Sequence, residues 1–241
     1  MTYRMPGFKF VDRGFKKSML LVPGWATDWR IFEKLDIPFN YLLPENILPG
    51  DFGEAFGNLP DKMKKSRISV LGWSMGGFIA ADLVSRYPLM FDEVILVSMR
   101  RRYDKDGINH VRDYLRRNAK AYLYRFYGSL FSETEKEHQR WFKNSLLKEY
   151  LGDPDSFHLF DGLNYLVKSR DSIICCPYRN LPGSRIIFVH GENDRIASLE
   201  EARLAAAEAP SARFISIKDA AHFPLLKEEF KDIFKLNVGT A

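Results

Sequence analysis

The stretch Ile68-Ser69-Val70-Leu71-Gly72-Trp73-Ser74-Met75-Gly76-Gly77 joins an apolar run to a helix-forming one through the pattern Gly-x-Ser-x-Gly. A strand that turns sharply into a helix at such a pentapeptide forms a nucleophile elbow, which strains one serine and leaves its hydroxyl exposed. Gly72 and Gly76 suit this turn because a Cβ at either position would clash with the neighbouring backbone. Met75 opens the helix, where unpaired N–H groups and the dipole favour a developing negative charge. The pattern therefore predicts Ser74 as a nucleophile and the Met75 amide as half of an oxyanion hole.

Outward from the elbow, strands alternate with helices. Continuous apolar or alternating runs predict strands at 8–12, 18–23, 37–43, 67–72, 94–98, 185–190 and 213–217. Helical spacing predicts helices at 29–35, 54–64, 75–87, 199–208 and 224–236, with Asp28 as an N-cap and Pro88 as a stop. Such alternation means a mostly parallel central sheet with helices on both faces. Between 100 and about 180 the strand signal fades, and helical patterns run over 107–127, 133–150 and 155–170. The chain thus divides into a first core part (1–99), an inserted helical lid (100–180) and a second core part (181–241).

A serine alcohol reacts only when a base takes its proton and an acid fixes the tautomer of that base. In an elbow fold the chain order is Ser, Asp or Glu, then His, on loops at the carboxyl ends of strands. Asp194, beyond the strand at 185–190, and His222, just before the last helix, occupy those places. Glu192 and Asp219 compete with Asp194, while His190, at the strand end, suits packing or hydrogen bonding. His110, His138 and His158 fall in the lid with no acid or nucleophile pattern around them and are read as structural. The second oxyanion donor is expected from Pro23-Gly24-Trp25, where Gly24 permits the turn and the Trp25 N–H points at the carbonyl oxygen.

The 241 residues, 46% of them hydrophobic, support one sizeable core. No apolar stretch is long enough to span a membrane. The N-terminus lacks a signal-peptide core, and the adjacent Cys175 and Cys176 suit a reducing compartment, so a cytoplasmic location is expected; a monomer is the separate expectation for the assembly. No His/Cys cluster with metal-ligand spacing occurs, so neither metal nor cofactor is expected. The net charge of +5 is confined to residues 100–179, which hold 16 Lys/Arg against 11 Asp/Glu; the remaining 20 basic and 20 acidic residues cancel. Within that block Arg112, Arg116 and Lys120 lie at i, i+4 and i+8, so one helix would present them as a basic stripe. The 11 acids and the lack of a nucleic-acid motif argue against nucleic acid.

Taken together, Leu71 to Gly77, Gly24-Trp25 and Ala220-Ala221-His222 make the chain resemble the α/β-hydrolase superfamily over nearly its whole length. Within it the chain resembles the pimeloyl-acyl carrier protein methyl ester esterases of biotin synthesis. Gly162-Leu163-Asn164-Tyr165-Leu166, with Asp171 downstream, is similar to their lid. The resemblance implies an α/β-hydrolase fold and a serine carboxylesterase that demethylates a carrier-bound acyl ester. It also implies that basic lid residues dock an acidic acyl carrier protein, here Arg112, Arg116 and Lys120, with Trp25 beside the substrate. Two departures stand out: Pro23 replaces the usual oxyanion-loop His, and 44–50 lacks the usual Gly-x-Gly-x-Ser stretch. The rivals are a general short-chain carboxylesterase with an incidental basic lid and a non-catalytic binder that kept the fold.

Overall fold

In the computed structural model, residues 2–5, 7–64, 66–153, 157–169, 185–209 and 211–235 are described. Eight strands form one sheet: β1 (Thr2–Met5), β2 (Phe8–Val11), β3 (Ser18–Val22), β4 (Asn40–Pro44), β5 (Ile68–Trp73), β6 (Phe91–Val97), β7 (Arg185–Gly191) and β8 (Arg213–Ile217). Their order is β1-β2-β4-β3-β5-β6-β7-β8. The first two pairings are antiparallel and the others parallel. Every residue of β4 and β5, and all of β7 after Arg185, is buried, which is why these strands read as unbroken apolar runs. β1 goes beyond the expected strands: Met5 opposes Phe8, so the N-terminus folds back as a hairpin onto β2.

Helices α1 (Phe52–Gly57), α2 (Asp61–Lys64) and α3 (Met75–Arg86) follow β4 and β5. The expected helix at 54–64 is interrupted at Pro60, which has no N–H to continue the ladder. Residues 29–35 make only a 3₁₀ turn, Trp29–Phe32, on the Asp28 cap. The strand expected at 37–43 begins later, at Asn40. Its side chain is engaged there, accepting from the Arg13 and Phe15 amides and donating to the Phe15 carbonyl.

Between β6 and β7 every described element is helical: α4 (Lys105–Gly128), α5 (Lys136–Phe142), a π-helical segment (Lys143–Leu147), α6 (Lys148–Gly152) and α7 (Leu159–Lys168). The end of the insertion near 180, Asp171 and the cysteine pair lie outside the described residues. Tyr127, Phe142 and Tyr150 form its aromatic core. Helices α8 (Leu199–Ala207) and α9 (Glu228–Lys235) complete the chain. None of the described helices is long and apolar enough to cross a membrane.

The parallel strands all deliver their following loops to one edge of the sheet, the usual location of a site in such folds. Trp25 follows β3, Ser74 β5, Asp194 β7 and His222 β8. The turn after β5 is possible only because backbone meets backbone there. A Cβ on Gly72 would lie 2.7 Å from Gly77 Cα, and one on Gly76 would lie 2.6 Å from the Pro23 carbonyl oxygen. Neither clash can be relieved by rotating a side chain. Gly76→Ala is expected to cost about 1–3 kcal/mol in urea unfolding, the range for overpacking a filled core; an unchanged midpoint would contradict the close approach.

Candidate active site

Ser74 has φ 54° and ψ −119°, a conformation that few non-glycine residues adopt. It is locked by its N–H donating to the Val97 carbonyl at 2.8 Å and by its carbonyl accepting from the Gly77 N–H at 2.9 Å. The Ser74 hydroxyl oxygen stands 2.9 Å from His222 Nε2, and His222 Nδ1 stands 2.7 Å from Asp194 Oδ2. An ionised carboxylate can only accept, so Nδ1 carries the proton and Nε2 is left to accept from the serine. Residues 74, 194 and 222 are thus joined in one chain of hydrogen bonds, and His222 is wholly buried.

Asp194 is oriented by its own loop, its Oδ1 accepting from the Ile196 and Ala197 amides at 2.8 and 2.9 Å. Burial alone would raise its carboxyl. The charge and hydrogen bond of His222, then the charge of His190 and the Ala197 amide, outweigh burial and hold it below the usual carboxylate range. Its two rivals are placed elsewhere: Glu192 accepts from the Ser216 hydroxyl, and the Asp219 carbonyl accepts from Ser132 and Thr134. His190 Nε2 lies 2.8 Å from the Ala197 carbonyl and 3.4 Å from Asp194 Oδ2. A carbonyl only accepts, so His190 is protonated on Nε2 and braces the Asp194 loop.

The loop at 23–25 packs directly on the elbow, since the open side of Gly24 faces Trp73 and the Ser74 Cβ. No turn, loop or cap hydrogen bond among the described residues uses the Trp25 or Met75 amide. Pro23 cannot brace this loop as a histidine would, and the insertion does so instead. The Tyr127 hydroxyl donates to the Ala26 carbonyl at 2.6 Å, and Trp25 Nε1 donates to the Leu159 carbonyl at 2.9 Å. Gly162 leaves room for the Trp25 ring, and Leu163 and Leu166 face the cavity, which accounts for the Gly-Leu-Asn-Tyr-Leu stretch.

Sequence reasoning missed Glu135. Its Oε2 accepts from the Ser132 amide at 2.8 Å and from the Ala221 amide at 2.9 Å, one residue before His222. The Phe223 amide donates to the Leu130 carbonyl, and Trp73 Nε1 donates to the His222 carbonyl. The available signal was Ser132-Glu133-Thr134-Glu135, a capping-box spacing. That spacing reports the local bond to Ser132 but is silent on the distant one to Ala221.

The expected basic stripe does not form as one row. α4 breaks at Asn118 (φ −162°, ψ 88°), whose side chain accepts from the Ala121 amide and so caps a second helical segment. Lys120 lies beyond that break. Arg112 is committed to Asn109 and Asn164, and Arg116 to Asp113. Of the remaining histidines, His158 precedes α7, while His110 and His138 lie in α4 and α5, outside the hydrogen-bonded run of residues 74, 194 and 222.

A cavity of about 520 Å³ opens over Ser74, walled by Trp25, Tyr122, Phe126, Val111, Leu163 and Leu166 among others. The insertion thus supplies an apolar chamber above a hydrogen-bonded nucleophile. Among the described residues no group of three or more His, Cys, Asp or Glu is arranged to hold a metal ion.

A family model described as the alpha/beta hydrolase family matches residues 19–233. No curated protein matches the chain. Among solved structures, the chain is similar to an esterase from Exiguobacterium antarcticum, at TM-score 0.77 and 17% identity over 97% of this chain and 96% of that one. It is similar to a thermophilic esterase from Thermogutta terrifontis, at 0.76 and 20% over 98% and 94%. It is also similar to a bromoperoxidase from Bacillus anthracis, at 0.77 and 15% over 97% and 95%. At such identities the likeness is one of fold.

Burial pushes His190 below its ordinary value near 6.5, against the opposing charge of Asp194. A base depressed in the folded state contributes its full stability above about pH 6.5 and loses it as pH falls through the folded value. His190→Gln, which keeps a donor for Ala197, is therefore expected to lose less stability than the unmodified chain between about pH 7.5 and 5.5 in urea titrations. Parallel pH curves would show that His190 is not held neutral.

Proposed function

The chain belongs to the alpha/beta hydrolase family, and on that footing we propose that it is a serine carboxylic ester hydrolase. The observation that carries this reading is the continuous hydrogen-bonded run from Ser74 through His222 to Asp194 beneath an apolar cavity. The Ser74 oxygen attacks the ester carbonyl while His222 Nε2 takes its proton. Asp194 holds the imidazole and stabilises its charged form. The Trp25 and Met75 amides receive the oxyanion. His222 returns the proton to the departing alcohol, then draws one from water, which cleaves the acyl-serine and frees the acid. These steps need only side chains and backbone.

Ser74→Ala is expected to lower kcat on a soluble nitrophenyl ester by about 10⁴–10⁶, the scale of triad deletions, with the fold intact by circular dichroism. Near-normal turnover would dispose of the assignment, and would leave the non-catalytic binder.

A finer reading follows from the charge excess of the insertion: the ester is the methyl ester of an acyl chain borne on an acidic carrier protein. Arg116 and Arg117 are exposed on the first segment of α4, with Lys120 exposed past the break. Charge reversal at Arg116 and Lys120 is expected to raise KM for a carrier-linked pimeloyl methyl ester roughly tenfold or more, the effect of losing about 1.4 kcal/mol. The shift for free methyl esters should be much smaller. Equal shifts for both would leave a general carboxylesterase.

A further inference from the structure

Two arginines enter the cavity above Ser74, and ester hydrolysis as described uses neither. Arg100 lies in the loop after β6, at the same sheet edge as residues 25, 74, 194 and 222. It is half-buried, its guanidinium is 5.0 Å from the Tyr103 ring, and its Nε is buried with no hydrogen-bond partner. No ion pair joins it to a carboxylate among the described residues. Asp104 is the nearby acid at the cavity wall, but its Oδ1 is taken by the Gly107 amide at 2.6 Å, where it caps α4. Arg125, exposed on the second segment of α4, also borders the cavity, and its Nε reaches the Ala121 carbonyl only at 3.5 Å. His222 and His190 both face Asp194.

A guanidinium whose buried Nε has no acceptor, and whose nearby acid Asp104 is engaged in capping a helix, is best satisfied by an anion entering the cavity. Guanidinium N–H groups form a planar fork that matches a carboxylate, and the bond strengthens where water is excluded. Tyr103 lies between the two parts of the site, since its ring carries Arg100 and it lines the same cavity as Ser74. An anion on Arg100 would therefore share one chamber with the ester held at Ser74. We infer that the cavity selects esters with a free carboxylate on the acyl part, the half-esters of short dicarboxylic acids, with Arg100 as the specificity-determining residue and Arg125 at the mouth. Hydrolysis follows the proposed course: the acyl–alkoxy bond breaks as the alcohol leaves with the proton from His222, then water adds its oxygen to the acyl carbon, the acyl–Ser74 bond breaks and Ser74 recovers its proton. The product is a dicarboxylate. This inference rests on ester hydrolysis at Ser74 and is an alternative to the carrier-borne substrate, whose second carboxyl is tied up in the carrier linkage.

The test compares monomethyl adipate with methyl hexanoate, its neutral counterpart of similar length, by release of acid at constant pH. The expected result is a kcat/KM at least tenfold higher for the half-ester. Arg100→Gln should erase that preference mainly through KM, and Arg100→Lys should retain part of it. Equal kcat/KM for the two esters, or equal loss on both in Arg100→Gln, overturns the inference. Should the variant fail to fold, inhibition of methyl hexanoate hydrolysis by adipate against hexanoate in the unmodified protein decides the matter, and equal inhibition counts against it. Adding methyl 6-phosphonohexanoate separates a carboxylate site from a general anion site; preference for the phosphonate overturns the carboxylate assignment. If neither ester is hydrolysed, the nitrophenyl ester assay alone decides the serine reading. The subsite is then judged by the thermal shift with adipate, where a rise lost in Arg100→Gln supports it and no rise overturns it.

Discussion

The contact on which this structure depends is the approach of Gly72 to Gly76 and of Gly76 to the carbonyls of residues 22 and 23. It lets β5 reverse into α3 within a single residue and leaves Ser74 at φ 54°. Such a backbone persists only where its surroundings over-determine it. Here the Val97 carbonyl from the neighbouring strand and the first turn of α3 both do so. The same contact presses the 23–25 loop against the serine. One packing event therefore positions the nucleophile and the loop proposed to stabilise its oxyanion.

From there the architecture is a matter of delivery. Parallel strands of nearly equal length release the Asp194 and His222 loops at the edge where Ser74 stands. Asp194 and His222 are buried together, so Asp194 Oδ2 and His222 Nδ1 satisfy each other out of reach of solvent. His190 and the 196–197 amides finish the accounting around the carboxylate, which would otherwise resist ionising at that depth.

Most of the sheet was readable because buried parallel strands are unbroken apolar runs, as in Val94 to Val97, and because Gly-x-Ser-x-Gly combines two steric demands in five positions. Asp194 and His222 were readable from chain order. What escaped depended on partners far away in sequence. The capping-box spacing at 132–135 is a local pattern, and its Glu135 carboxylate meets Ala221 only after folding. The break at Asn118 was hidden because the flanking residues keep helical periodicity while one side chain offers the backbone a competing bond. The missing N–H of Pro60 splits 54–64 into two short helices, a break that the apolar spacing of the stretch does not show. β1 was overlooked because four residues carry too little periodicity to read.

The insertion does more than roof the cavity. Its 130–135 segment grips the loop carrying His222 through Leu130, Ser132, Thr134 and Glu135, while Tyr127 and the carbonyl of residue 159 hold the loop carrying Trp25. The two halves of the machinery are thus tied to the same accessory helices. It follows that this region is no interchangeable cap: a chimera grafting a foreign one onto the sheet would inherit the serine but forfeit the struts that aim its base, unless those struts were transplanted too.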